Sequence, residues 1–110
     1  MTVYVHLVEG DSAAARLALI ARLEAESRPE CAVFAQTSEP PTSPLDWLLG
    51  PGCVCCLPRT HPRLRLLAAT QGRTASRRIL IDAGPQALAE RIARAIRALP
   101  VPLRLVRMTA

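Results

Sequence analysis

Apolar positions recur along this chain with two periods, and their alternation predicts strands and helices in turn. Thr2–Val8 is apolar and rich in β-branched residues, the pattern of a buried strand. Gly10-Asp11-Ser12 reads as a turn that can also cap a helix start. From Ala13 to about Glu26, Leu17, Ile20 and Leu23 repeat at helical spacing, with Arg16, Arg22 and Glu26 elsewhere on the cylinder. Arg28-Pro29 should end that helix, and Cys31–Gln36 forms a second short apolar strand. Pro62–Gln71 predicts a short helix with Leu64, Leu67 and Ala68 inward, and Arg78–Asp82 a buried strand. Pro85 opens a helix over Gln86–Leu99, with Leu88, Ile92, Ala95 and Leu99 on one face and Arg91, Arg94 and Arg97 on the other. Pro102–Met108 is the last strand. Strands that alternate with helices predict an α/β fold: a small, mainly parallel sheet of about four strands, covered by helices on both faces, as one domain over residues 1–110.

One stretch breaks the pattern. Six of the ten prolines fall between Glu39 and Pro62, with Gly50 and Gly52, so residues 37–62 read as a long loop with room for one helical turn. Leu45, Trp47, Leu48 and Leu49 make an apolar knot inside it, expected to pin the loop onto the domain or else to dock a partner. The loop ends in Cys53-Val54-Cys55-Cys56.

Composition narrows the functions. Tyr4, Phe34 and Trp47 are the only aromatics, too few for a platform that stacks bases. The formal charge of +5 comes from fourteen arginines and no lysine. The arginines are dispersed, and the densest line lies on a helix face where solvated charge is ordinary, so nucleic acid is not the expected partner. No stretch approaches the roughly 20 apolar residues of a membrane span. Val3–Val8 lacks a basic leader and is broken by His6, which predicts no targeting signal and a cytoplasmic location. Thiols stay reduced there, so the four cysteines are expected to be metal ligands or reactive groups rather than disulfides.

Cys-x-Cys-Cys puts three thiols within four residues, and Pro51 and Gly52 before it let the backbone turn the sulfurs toward one point. Zn²⁺, or another transition metal such as Cu⁺, Co²⁺ or Ni²⁺, accepts such ligands. A fourth ligand would come first from His61, then from Cys31, His6 or Glu39, or the position stays open for water or a partner. The competing readings are ordinary ones: packed or redox-active thiols, His61 facing solvent before its proline, His6 in the core or an interface, and Cys31 as a small hydrophobe.

The order of these pieces resembles the CobW-type P-loop GTPases, a metallochaperone-like family. Val3–Gly10 with its helix is similar to the first strand and phosphate loop of that family. Gly52-Cys53-Val54-Cys55-Cys56 matches its Gly-Cys-x-Cys-Cys motif, and Arg78–Gly84 resembles the strand of its second phosphate-sensing loop. Leu105–Ala110 resembles the next strand, ending Thr109-Ala110 where the family ends Asp-Ala. The resemblance implies the N-terminal half of a P-loop G domain, with a nucleotide site at Gly10, Arg16 and Asp82. The phosphate loop is degenerate, however. A loop of the form G-x-x-x-x-G-K-[ST] uses glycines for close approach, lysine for phosphate and a hydroxyl for Mg²⁺. Counted from Gly10, those positions hold Ala15, Arg16 and Leu17, and Asp11 sets a negative charge where phosphate would lie. That argues against GTP and Mg²⁺. A plain reading makes Asp82 a cap for the following helix and Gly84 a residue of backbone freedom. The expectation is a non-catalytic metal-binding domain using Cys53, Cys55 and Cys56, partnered by a full-length CobW-like protein or a second copy. A residual GTPase completed by another chain, or a vestigial domain, is the alternative.

Overall fold

A computed structural model describes residues 2–27, 31–71 and 77–110. The described chain forms β1 (Val3–Glu9), α1 (Ala13–Ser27), β2 (Cys31–Phe34), α2 (Pro62–Ala69), β3 (Arg78–Gly84), α3 (Gln86–Arg97) and β4 (Leu103–Thr109). Two short 3₁₀ turns, Pro44–Leu48 and Val54–Cys56, lie in the long loop. The α/β expectation holds: all strand pairs are parallel, in the order β2-β3-β1-β4. The expected stop of α1 at Arg28-Pro29 falls outside the described residues.

Alternation along the two central strands builds both layers. Val3, Val5 and Leu7 of β1, with Ile79, Ile81 and Ala83 of β3, face a core shared with Ala89, Ile92, Ala93 and Ile96 of α3 and with Leu66 of α2. Val8 and Leu80 point the other way, onto Ile20 and Leu23 of α1. The buried stripe of α3 is therefore centred one position away from the expected Leu88 and Ala95, both half-buried. A 3.6-residue period identifies a stripe, and the lie of the helix on the sheet selects its centre.

Two helices differ from expectation more sharply. In α2 the buried residues are Pro62, Arg63 and Leu66, whereas Leu64 and Leu67 are half-buried and Ala68 is exposed. In α1 the buried residues are Arg16, Ile20 and Leu23. Positions 16, 20 and 23 lie on one helical face, so Arg16 belongs to the inward stripe and not to the solvent side.

The proline-rich loop is tied down by its aromatic. Trp47 is fully buried and stacks obliquely on Phe34 with ring centroids 5.3 Å apart, while Leu48 packs on the same core. Leu45 and Leu49 remain exposed. The loop is thus pinned, as the apolar knot suggested. Arg65 reinforces it from α2, stacking over Phe34 at 4.8 Å and donating to the Thr42 hydroxyl at 2.9 Å.

Candidate metal centre

The last turn of the loop sorts its side chains by position. A 3₁₀ turn has three residues per turn, so positions i and i+3 share a side. Cys56 and Leu57 each donate a backbone N–H three residues back, to Cys53 and Val54, both at 3.2 Å. Val54 and Leu57 therefore pack inward, Leu57 buried and Val54 against the main core. Cys53 and Cys56 fall on the opposite side, with Cys55 beside them, and all three are exposed.

Their ligand atoms all lie within 4.8 Å of one another. Cys55 Sγ and Cys56 Sγ are 3.8 Å apart. Bonds of about 2.3 Å to a tetrahedral metal set ligand sulfurs about 3.8 Å apart, so this spacing suits a shared ion. Cys53 and Cys55 are joined as a disulfide, and Cys56 remains a thiol. This corrects the expectation that disulfides are absent: the turn sets the two Cα atoms 5.5 Å apart, within bridging range. A bridged sulfur is not a thiolate ligand, so metal binding at all three positions needs the pair reduced.

His61 is neither solvent-facing nor among the gathered ligands. It caps α2 with its ring: Nδ1 accepts from the Arg63 N–H at 3.1 Å, and Nε2, assigned the proton from these partners, donates to the Leu49 carbonyl at 2.6 Å. Both ring nitrogens are engaged in shaping the loop. Cys31 opens β2 and packs against the α1 side of the sheet. His6 lies half-buried in β1 with both ring nitrogens inside, and burial, reinforced by the Arg78 charge, lowers its pKa. Glu39 does not belong to the cluster.

The nucleotide positions inferred from resemblance do come together. β1 and β3 are neighbours, but their crossovers leave in opposite directions, so the turns after them flank a crevice at the C-terminal strand ends. Gly10 and Gly84, both at positive φ, meet there, with the Gly10 N–H donating to the Gly84 carbonyl at 3.0 Å. Ser12 caps α1, its hydroxyl accepting from the Ala15 N–H at 3.1 Å. Arg16 reaches back into this crevice. Its Nε donates to Asp82 at 2.6 Å and its NH1 to the Gly10 carbonyl at 2.6 Å. Both side chains of the pair are over nine-tenths buried. Asp82 also accepts from the Gly84 N–H at 3.3 Å, whereas the Pro85 cap of α3 has no side-chain bond, so the helix-cap reading of Asp82 is corrected. The Arg16 guanidinium is committed to a carboxylate and a carbonyl of this chain.

Sequence reasoning missed Arg63. It is buried, and its guanidinium donates to the carbonyls of Leu49 and Pro51, each at 3.0 Å, and of Gly52 at 3.4 Å. The signal available was its i,i+3 spacing from Leu66 on a short helix. A cleft of about 500 Å³ lies alongside, between Pro41, Asp46, Gly50, Pro58 and Arg65.

Fold and site together define a parallel α/β domain with an exposed trio of cysteines on a pinned loop. No family model, curated protein or solved structure matches the chain. No described helix is long and apolar enough to cross a membrane.

Proposed function

We propose that this domain is a non-catalytic binder of a soft transition metal, held by Cys53, Cys55 and Cys56 in their reduced form. The observation that carries the reading is three exposed sulfurs within 4.8 Å of one another, Cys53 and Cys55 bridged and Cys56 free. Thiolates select Zn²⁺, Cu⁺, Co²⁺ or Ni²⁺ over hard cations. Three ligands on an open surface leave a coordination position for water or for a donor from an acceptor protein, such as a second copy or a larger CobW-like relative. Such a site suits metal delivery or sensing better than a closed structural centre. Reduced thiols require a reducing compartment, so the proposal includes a cytoplasmic location. The Gly-Cys-x-Cys-Cys motif and the element order favour descent from a CobW-like GTPase whose nucleotide switch is lost. The buried Arg16–Asp82 pair supports that loss, since nucleotide would have to displace it.

The test is metal analysis of protein purified under reducing conditions, with thiols counted, beside Cys55→Ser and Cys56→Ser. One equivalent of Zn²⁺ or Co²⁺ bound at submicromolar Kd, weakened roughly a hundredfold in both variants, is the expected result. No binding below micromolar by fully reduced protein would sink the proposal.

A further inference from the structure

We infer that Arg63 is a positioning residue for the thiol loop: its buried guanidinium, forked over the carbonyls of Leu49, Pro51 and Gly52, fixes how the segment leading into the cysteine turn is held on the domain. This rests on the metal-binding reading above and adds the device that preorganises the site.

The loop cannot hold itself. Gly50-Pro51-Gly52 combines two residues of high backbone freedom with one that has no N–H to donate, and no ladder or helix serves its carbonyls. Those carbonyls take their protein donors from outside the segment. Arg63 supplies them from the first turn of α2, where Pro62 and the His61 cap fix the helix start. His61 converges on the same place, so the Leu49 carbonyl accepts from both His61 and Arg63. Every acceptor of Arg63 is a main-chain carbonyl of the segment ending one residue before Cys53, and among the described residues it forms no ion pair. Its Nε is buried without a partner.

Among the described residues no carboxylate offsets this buried charge, an expensive way to hold a loop unless the charge is also useful. A divalent ion on three thiolates leaves a net charge of −1, opposite in sign to the guanidinium that holds the segment before them. Lysine keeps the charge but cannot fork across three carbonyls.

The experiment compares wild type with Arg63→Met and Arg63→Lys, both fully reduced. One readout is anaerobic Co²⁺ titration, followed by the d–d and sulfur-to-cobalt charge-transfer bands. The other is amide hydrogen exchange of residues 50–57 against the β3 strand. Both variants should weaken Co²⁺ binding roughly tenfold or more and alter the d–d bands, the usual scale for removing a group that orients metal ligands. Loop exchange should rise while β3 exchange stays unchanged. Should Arg63→Met unfold the domain, Arg63→Lys, with charge and aliphatic stem intact, carries the same test. Wild-type affinity and spectrum in Arg63→Lys would overturn the fork, and an unchanged loop exchange in the folded variants would overturn the positioning role itself. Absence of Co²⁺ binding by wild type would defeat the metal reading alone, because loop exchange still decides what Arg63 does.

Discussion

The crevice at the ends of β1 and β3 sets its charged side chains on regular elements, Arg16 on α1 and Asp82 on β3, whereas the thiol loop beside α2 sets its cysteines on irregular backbone. The two satisfy their polar groups in opposite ways. In the crevice, Arg16, Asp82 and the Gly10 carbonyl satisfy one another in a buried cluster. In the loop, the polar work is done from behind by Arg63 and His61, and the three cysteines are presented outward. A site that has used its donors and acceptors internally offers a ligand little; a site whose scaffold is satisfied separately from its reactive groups leaves them to other chemistry, here a Cys53–Cys55 bridge beside a free Cys56 thiol, or a metal once the bridge is reduced. Location alone would have favoured the crevice, since strand ends at a switch point are the usual ligand site of open α/β sheets. The chemistry favours the loop.

That contrast can be broken first at the crevice. Asp82→Ala strands the buried Arg16 charge and should destabilise the domain by about 3–5 kcal/mol in urea unfolding. The joint replacement Arg16→Met with Asp82→Leu should recover most of that loss, because a buried ion pair exchanged for packed apolar groups is often neutral. If Asp82→Ala alone is silent, the pair is not the buried, committed unit described.

The loop's anchor comes next. Trp47→Ala empties a fully buried site against Phe34 and should cost about 3–5 kcal/mol by the same measurement. A loss well below about 1 kcal/mol would mean that the loop is held without its aromatic.

Cysteine substitution sharpens the other side. In fully reduced protein, Cys55→Ser should weaken metal binding roughly a hundredfold, about 2.7 kcal/mol, and change unfolding by less than about 0.5 kcal/mol, since an exposed side chain without its bridge carries little stability. Comparable losses of binding and stability would make the cluster a structural element instead.

The smallest effect concerns pH, and it belongs to neither region. His6 has its folded pKa lowered by burial and then by Arg78. Unfolded histidine titrates near 6.5, so between the folded pKa and that value the unfolded chain binds more protons. Stability is therefore full above about pH 6.5 and falls as pH drops toward the folded pKa, at no more than about 1.4 kcal/mol per pH unit. The difference between wild type and His6→Gln across pH 5–7 isolates this slope, and identical profiles would refute it.

The chain's own pattern determines the elements, their alternation into an α/β class, the apolar knot of the loop and the cysteine spacing, because each is written in residues close in sequence. Periods of 2 and 3.6 report which positions share a face, and a Cys-x-Cys-Cys run carries its geometry within one turn. Tertiary structure alone decides the rest. Arg16 looks like a solvent-facing charge until Asp82, 66 residues away, meets it beneath the Gly10 turn. His61 and Arg63 look like loop and surface residues until the carbonyls of Leu49 and Pro51 fold over them. A charged side chain can be buried only where distant backbone or a distant opposite charge comes to meet it, and no local period records that meeting.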